Sequence, residues 1–492
     1  MKAKHNCWTC KERKVGCDRL LPACENCKRS SRRCQGYDIK LAWPDKIDGR
    51  RKQKKYQAVP EGSSTDYITQ EGHFSFLNTT FDDFSGRKFK IEEVVVTESA
   101  TRTKFNIPPS ITSIRLGDQE GLLLSYYDAI IARMITTIDD GTNGFRLDVI
   151  PMALSSSDAA SRSLLQSTLA LSSFHLGRPE AALRHKVEAI KALSESFSET
   201  PHSRLTQIAA CMMLTVYSVF DVSDTTWQLH LRGAKTVTEA LTSHERRMPS
   251  IGFILDWFEY HNTFSGYSHS TDPSQCNHAH NLVLPESNSD SQKIIGLLGC
   301  SGELLQLIQC INHLRNLQSC TLPRGRQEQD DILHATQLLR NRLTNLRQEC
   351  HIVQIESAGA IDSQRITLTA ELYRIASLLY LYQVAPLPAL PDNAVQSVVM
   401  TGFAVLGQLE VCTSPWPLFM LGVHATSDVD RQITLATIDT AVLKRGVGNY
   451  QIIKGLIQSV WKQRDLHADD KISTRIDWRE LIDPHSGIPS FI

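Results

Sequence analysis

Six cysteines near the start of the chain stand in a spacing that repeats. The pattern C-x2-C-x6-C occurs twice with six residues between the copies, using Cys7, Cys10, Cys17, Cys24, Cys27 and Cys34. Because both copies have the same spacing, we expect two similar half-sites related by a pseudo-twofold axis. Two thiolates three residues apart on a tight turn can reach one tetrahedral zinc ion at about 2.3 Å. The pattern therefore indicates a zinc site rather than isolated thiols.

The number of cysteines limits the number of metal ions. Four thiolates complete one tetrahedral zinc, and two separate zincs would need eight. Six thiolates serve two zincs if two sulfurs are shared by both ions. Other chemistries fit less well: disulfides are rare inside cells, iron–sulfur clusters use different spacings, and no βαβ pattern accompanies a redox C-x-x-C.

Positive charge is concentrated around these cysteines. Residues 1–55 contain 17 lysines and arginines against 6 aspartates and glutamates, although the whole chain has 53 of each class. A basic segment on an acidic body indicates a polyanionic partner. The basic residues closest to the cysteines are Lys11, Arg13, Lys14, Lys28, Arg29, Arg32 and Arg33. A further basic run at 49–55 is typical of a nuclear localisation signal or a phosphate-binding arm, with a solvated linker as the alternative.

Residues 7–37, CWTCKERKVGCDRLLPACENCKRSSRRCQGY, closely resemble the fungal zinc binuclear cluster DNA-binding domain. The resemblance implies two zinc ions bridged by Cys7 and Cys24, with Pro22 in the loop that joins the halves. It also implies double-stranded DNA as the partner. Some thirty residues cannot bury a core of their own, so metal binding would supply the folding free energy.

The resemblance also implies how such a module reads DNA. A short helix after Cys7 would enter the major groove, where lysine or arginine donates to guanine O6 and N7. Base reading falls on Lys14, with a CGG-like triplet as target, and the remaining basic residues are expected to contact phosphates. Two positions depart from the family: Glu12 replaces a usual basic residue and Gly16 a usual lysine. Both departures predict weaker DNA binding.

The rest of the chain divides into a linker and a large body. We predict the zinc module at 1–40, a basic segment and linker at 41–115, and the body at 116–492. No heptad repeat is sustained between 35 and 113, so the usual dimerisation coiled coil is not indicated. The aromatic and acidic segment 73–86 fits an activation or docking segment, or a packed strand or loop.

Helical periodicity dominates the body, so the fold class is mostly α. Gly177 suits a helix end, and Pro179 begins a helix with Leu183, Val187, Ile190, Leu193 and Phe197 along one face. The apolar run 205–220 is too short to span a bilayer and predicts a buried helix. Other predicted helices are 121–135, 161–177, 226–242, 292–317, 328–348, 364–384, 394–410, 430–445 and 449–464.

The body resembles a second family, the fungus-specific transcription factor domain. The similarity rests on four stretches: 139–154, 227–235, 416–431 and 460–465. Together the two resemblances imply a nuclear, RNA polymerase II type, sequence-specific transcription regulator. Its implied partners are DNA, the transcription machinery and, for dimerisation, itself or another zinc cluster protein. No membrane association is expected.

The sequence of the body lacks the common catalytic signatures. The phosphate-binding, zinc-protease, serine-hydrolase and dinucleotide motifs do not occur, so we do not expect an enzyme. Two alternatives stay open: a zinc-containing protein-docking module, and a zinc or redox enzyme with a helical substrate domain. Cys276, His278 and His280 form one loose metal-ligand grouping, with solvated side chains as the simpler interpretation. The remaining cysteines are expected to be small core residues.

Overall fold

The structure, a computed structural model, describes most of the 492-residue chain. The described residues are 6–37, 116–198, 204–247, 251–268, 284–319, 325–352, 362–385, 393–467, 477–482 and 489–491. The chain divides into two compact units, Met1–Thr103 and Lys104–Ile492. The predictions made for the basic run 49–55, the aromatic segment 73–86, and Cys276, His278 and His280 lie outside the described residues.

The first unit contains two one-turn helices. Helix α1 is Trp8–Glu12 and helix α2 is Glu25–Arg29. Both begin directly after a cysteine, Cys7 or Cys24, whose backbone is extended. The peptide bond between Leu21 and Pro22 in the connecting loop is cis.

The second unit is built from helices, which confirms the mostly α prediction. Its first half contains α3 Asp118–Tyr126, a π-helical turn Tyr127–Ile131, α4 Ala132–Met134, α5 Gly144–Leu147, α6 Val149–Leu154, α7 Ala159–His175, α8 Pro179–Ser196, α9 Arg204–Phe220, α10 Trp227–Glu239, a 3-10 turn Glu245–Arg247 and α11 Ile251–Ser268. Its second half contains α12 Gly302–Ser319, α13 Arg326–Asn345, α14 Ser363–Val384, α15 Ala394–Leu406, α16 Pro415–Val423, α17 Asp428–Arg445, α18 Asn449–Leu466 and a 3-10 turn Trp478–Leu481.

Helix α9 forms the centre of the first half of the body. From Gln207 to Phe220 every side chain on it is buried, as the apolar sequence predicts. Helices α7 and α8 pack beside it as a hairpin. Gly177, with φ +69°, lies between them in the left-handed region that favours glycine, and Pro179 occupies the first turn of α8.

The apolar face of α8 points away from the core. Leu183, Val187 and Phe197 are 59%, 58% and 55% exposed, and Ile190 is 41% exposed. Of the five apolar residues on this face, only Leu193 is buried. The opposite side, with Ala182, Ala189, Ala192 and Ser196, is buried instead. An amphipathic stripe usually faces the core, so the sequence pattern gives the wrong orientation for α8.

Small side chains explain why α8 packs through its other face. Ser163 of α7 donates a hydrogen bond to the backbone carbonyl of Ala189 at 2.8 Å. A serine reaches a neighbouring backbone in this way only when two helices lie close together. Alanine and serine on both helices permit that approach, whereas leucine and phenylalanine would keep the helices apart.

A short antiparallel pair precedes α12, where the sequence predicted one continuous helix from 292. Strands β1 Ile294–Ile295 and β2 Cys300–Ser301 pair with Ile294 opposite Ser301. Gly299 in the turn has φ +71°, and an added Cβ would lie 2.8 Å from Thr137 Oγ1. The helix therefore begins at Gly302.

Aromatic side chains fill the core of the second half. Trp416 and Phe419 of α16 pack with Tyr267 of α11, with Trp478 and with Phe491, and all five side chains are buried. The Tyr267 and Trp478 rings stack with centroids 5.3 Å apart. In the part of the chain that the structure describes, no helix has the length and apolar character needed to cross a bilayer.

Candidate metal centre and nucleic-acid interface

Cys7 and Cys24 have the same position in the two half-sites. Each is the residue before a helix, and each Sγ accepts a hydrogen bond from a backbone N–H in the first turn. The bonds run from Cys10 N to Cys7 Sγ at 3.4 Å and from Cys27 N to Cys24 Sγ at 3.3 Å. A sulfur thus takes the capping role that Ser or Asp usually has.

The six sulfurs form two overlapping groups. Each group holds four Sγ atoms that all lie within 4.8 Å of one another, and the two are Cys7, Cys10, Cys17, Cys24 and Cys7, Cys24, Cys27, Cys34. Cys7 and Cys24 belong to both, with their sulfurs 3.5 Å apart. Four sulfurs per group suit tetrahedral zinc. The arrangement agrees with two ions that share these two sulfurs.

The buried thiols need a bound cation if they are to be ionised. Cys7, Cys10 and Cys24 are fully shielded from solvent, and Cys27 is 1% exposed. Burial raises the pKa of the Cys7 thiol and raises that of Cys24 to about 12. A thiolate is costly in such a place unless a cation is bound, so zinc binding and folding of this unit are coupled.

The backbone repeats after both helices. Lys14 N donates to the Lys11 carbonyl at 3.2 Å, and Ser31 N donates to the Lys28 carbonyl at 3.1 Å. Lys14 and Ser31 have φ of 53° and 52°, in the left-handed region. Both are seven residues beyond a shared cysteine, so the predicted internal symmetry extends from the metal to the helix ends.

Lys14 lies just past α1 rather than within it. The helix ends at Glu12, and Arg13 caps it. Lys14 therefore projects from the turn that closes the helix, which the cysteine spacing alone does not reveal. All seven basic residues predicted to contact DNA are exposed: Lys11, Arg13, Lys14, Lys28, Arg29, Arg32 and Arg33.

Three of these basic side chains have contacts within the unit. Arg13 Nη1 donates to Ser30 Oγ at 3.1 Å, which links the ends of α1 and α2. Lys11 Nζ lies 4.4 Å from the centroid of the Trp8 ring, a cation–π geometry. Lys28 Nζ lies 3.7 Å from Glu25 Oε1 in an ion pair on the surface. These contacts orient the side chains without neutralising most of their charge.

The two departures from the family pattern differ in consequence. Glu12 Oε2 accepts a hydrogen bond from Gln35 Nε2 at 3.3 Å, so the carboxylate has a neutral partner there. The Gly16 carbonyl accepts from Asn26 Nδ2 at 2.6 Å. A Cβ added at Gly16 would meet nothing within 4 Å. Sterically, position 16 accepts a side chain.

Thr9 is a structural residue that no sequence motif singles out. It is 8% exposed, and its Oγ1 donates to the Arg33 carbonyl at 3.1 Å and accepts from Gln35 N at 3.0 Å. Trp8 N donates to the Gly36 carbonyl at 3.1 Å. The segment after the second half-site is thus held against α1. A hydroxyl between Cys7 and Cys10 was the available signal.

Cysteines of the body have a different environment. Cys211, Cys300 and Cys412 are buried among apolar side chains, as expected for small core residues. Burial raises the pKa of Cys211 to about 12. Within the described residues, the two sulfur groups around Cys7 and Cys24 are the clusters of metal-binding side chains.

Comparison with known proteins follows the same division of the chain. Residues 5–44 match the fungal Zn(2)-Cys(6) binuclear cluster domain, and residues 122–492 match the fungal specific transcription factor domain. The first domain binds two zinc ions with six cysteines, which confirms the zinc prediction. These matches define a zinc-cluster transcription regulator. The chain belongs to the fungal specific transcription factor domain family, whose match covers most of its length.

Two relatives match the chain over different lengths. The transcription factor iacI of Pestalotiopsis fici is 24% identical over 386 residues, which are 75% of this chain and 94% of that protein. The arginine metabolism regulation protein II of Saccharomyces cerevisiae is 57% identical over 37 residues, 8% of this chain and 4% of that protein. No solved structure matches the chain.

Proposed function

We propose that this chain is a nuclear regulator of RNA polymerase II transcription that reads a CGG-like triplet through its zinc module. The observation that carries the proposal is the pair of four-sulfur groups sharing Cys7 and Cys24, with exposed basic residues at the ends of both helices. In this proposal, each group holds one zinc. Module 1–40, linker 41–115 and body 116–492 act as reader, connector and regulatory domain.

Lys14 is the proposed base-reading residue. It stands exposed on the turn that closes α1, where its backbone is left-handed. An ammonium there can donate to guanine O6 and N7 in the major groove. At the equivalent turn of the second half stands Ser31, which has no charge. The proposal therefore gives base reading to the first half alone.

Phosphate binding is the proposed role of the other basic residues. Lys28, Arg29, Arg32 and Arg33 surround the end of α2 and are exposed. Arg13 is oriented toward the same side by its bond to Ser30, and Lys11 extends from α1. Contacts of this kind set the affinity and its dependence on salt, with no preference for sequence.

Substitutions at equivalent turns test base reading. We expect Lys14→Ala to reduce the preference for CGG over a scrambled site by about 5- to 150-fold, the range of a good base contact of about 1–3 kcal/mol. Ser31→Ala places alanine in the same left-handed backbone without removing charge, so it should retain the preference. Competition binding with full-length zinc-loaded protein measures both variants.

Arg33→Ala separates phosphate contacts from base contacts. It should weaken binding to CGG and scrambled sites equally and reduce the slope of log K against log salt by about 1.

Unchanged sequence preference in Lys14→Ala would show that Lys14 does not read the bases. Sites selected from random duplex DNA would then show whether single or paired triplets are bound, and so whether the protein acts as a monomer or a dimer.

A further inference from the structure

The body contains a partly open cavity of about 80 Å³ where segments distant in sequence meet. It lies between α9, α11, the turn before β2, the start of α16 and the connection from α17 to α18. A water-sized group needs about 10–15 Å³ by this measure, so there is room for on the order of five to eight such groups. The cavity is large enough for a small organic molecule and too small for a drug-sized one.

His261 supplies a hydrogen-bond donor without a partner. It lines the cavity and is 2% exposed. Its Nε2 accepts from Trp257 Nε1 at 3.2 Å. Because an indole nitrogen only donates, the neutral imidazole must carry its proton on Nδ1. Nδ1 has no partner among the described residues, and burial lowers the pKa of His261 to about 3, which keeps the ring neutral.

Thr413 adds a second polar group of the same kind. Its Oγ1 is buried and also lacks a hydrogen-bond partner in the described part of the chain. Thr413 lines the cavity directly before α16. Buried polar atoms are nearly always hydrogen-bonded in native proteins. Two orphaned groups at one cavity indicate that something else satisfies them.

Arg445 gives the cavity a positive charge. Among the residues lining the cavity, it alone is permanently charged. Its guanidinium donates to the carbonyls of Thr413 at 2.9 Å and Met134 at 2.6 Å. No carboxylate of a described residue pairs with it. The nearby Arg365 guanidinium donates to the carbonyl of Thr137, another lining residue, at 2.7 Å.

The rest of the lining is mixed: the hydroxyl-bearing residues Thr136, Thr137, Tyr260, Ser414 and Tyr450 stand among apolar side chains. Val216, Val219 and Phe220 come from α9, and Phe145 and Trp257 lie beside them. A ligand that fits would therefore present hydrogen-bond acceptors and negative charge to His261, Thr413 and Arg445, and hydrocarbon to the apolar side chains of α9, Phe145 and Trp257.

We propose that this cavity binds a small monocarboxylate with a branched hydrocarbon part, held by His261 Nδ1–H, the Thr413 hydroxyl and Arg445. Bound there, the acid would join elements from residues 135 to 450 and stabilise the body by mass action. The inference concerns the body alone and stands or falls independently of DNA reading.

Isovalerate and isobutyrate are suitable probes, with isovaleramide and isobutyramide as uncharged controls of the same shape. At about 10 mM, at least one acid should raise the melting temperature of the full-length zinc-loaded protein. Each amide should bind at least about tenfold more weakly than its acid, since hydrogen bonds to charged groups are the stronger ones. If neither acid shifts the melting temperature, the cavity holds only water and the proposal is wrong. Equal binding of acid and amide would equally overturn it.

Substitution of Thr413 locates the binding. Thr413→Val keeps the shape and removes a hydroxyl that has no described partner, so the ligand-free protein should melt no lower than the parent. Acid binding should fall by about tenfold. Thr437→Val is the matched control, because Thr437 Oγ1 bonds the Ile433 carbonyl away from the cavity. Unweakened binding in Thr413→Val, or equal weakening in the control, would place the acid elsewhere.

A spectroscopic readout completes the test. In protein labelled with ¹⁵N-histidine, the Nδ1 resonance of His261 should be that of a protonated nitrogen and should move on addition of the acid. Assignment follows from the resonance lost in His261→Asn. An unmoved Nδ1 resonance in a saturated sample would contradict the proposed contact.

Discussion

Gly16 is the residue at which this copy of the zinc module departs from its family most simply. Its backbone lies outside the left-handed region, and the space around a Cβ is open. Its carbonyl bond to Asn26 Nδ2 uses only the backbone. The glycine is therefore dispensable for the fold.

Gly16→Lys should restore a phosphate contact. We expect tighter binding to any duplex, with the slope of log K against log salt steeper by about 0.9 for one added contact. Gly16→Ala is the control, since it adds a side chain without charge and should leave the slope unchanged. Titration of DNA at several salt concentrations measures both. Equal slopes for the two variants would show that residue 16 does not face phosphate.

At the residue scale, the metal ligands could be predicted from the sequence more completely than the backbone conformation. Cysteine spacing and ligand counting indicate two zincs with shared sulfurs, and the sulfur groups agree. The position of Lys14 beyond the helix end could not be predicted, because a lysine with a left-handed backbone is unusual. Thr9 was missed because one hydroxyl has no pattern.

Helix α8 shows the same limit at the scale of an element. Its length and its proline start follow from the sequence, yet the side that packs inward does not. Periodicity shows that residues share a face but does not say which of two faces has a partner. The close approach of α7, which Ser163 reveals by its bond to α8, decides it.

Paired substitutions on the two faces of α8 test this orientation. Val187→Ala should change the free energy of unfolding by no more than about 0.5 kcal/mol, because Val187 is largely exposed and alanine favours helix. Ala189→Leu should cost about 1–3 kcal/mol by overpacking the contact with α7. Urea unfolding measures both. A large loss in Val187→Ala with a small one in Ala189→Leu would reverse the assignment.

An ion pair anchors α8 to the turn after α9. Asp224 is 4% exposed at its side chain and accepts from Lys186 Nζ at 2.6 Å and from Ser218 Oγ at 2.7 Å. Burial alone would raise the pKa of Asp224, but the bonds from Lys186, Thr226 and Ser218 lower it to about 2. The unfolded value is near 3.9. The anchor thus stabilises the ionised form.

Because the pKa of Asp224 is lowered in the folded body, the free energy of unfolding depends on pH in the acid range. The contribution of Asp224, about 2–3 kcal/mol, is complete above about pH 4 and is lost as the pH falls toward 2. Asp224→Asn should remove about this amount at pH 7 and show a flatter pH profile below 4. Asp439→Asn removes an exposed ion pair with Lys454 and should cost less than about 1 kcal/mol. Similar losses in both variants would contradict the role given to Asp224.

The whole molecule combines two units with different sources of stability. In its described residues, 6–37, the first has the cysteine cluster as its core, with Tyr37 packed against it. The second has a large apolar core that extends from Leu123 to Phe491. Metal should therefore be required for the first unit and dispensable for the second.

Zinc removal tests this independence. A chelator, or Cys10→Ser, should unfold the module and abolish DNA binding, while the thermal transition of the body keeps its midpoint. Cys211→Ser should do the reverse: it leaves zinc content unchanged and destabilises the body, because it buries a hydroxyl in an apolar site. Zinc analysis and calorimetry separate the cases. A body transition that moves with zinc content would show that the units are coupled.

The turns at Lys14 and Ser31 have a consequence for the orientation of binding sites in regulatory DNA. Their backbones match across a 17-residue offset, but only one of them carries a lysine. A symmetric reader would treat both orientations of a site alike. If Lys14 alone reads bases, one module lies on the duplex in a single direction. Inverting a triplet in a promoter would then reverse the orientation of the bound protein, even when the distance of the triplet to other sites is unchanged.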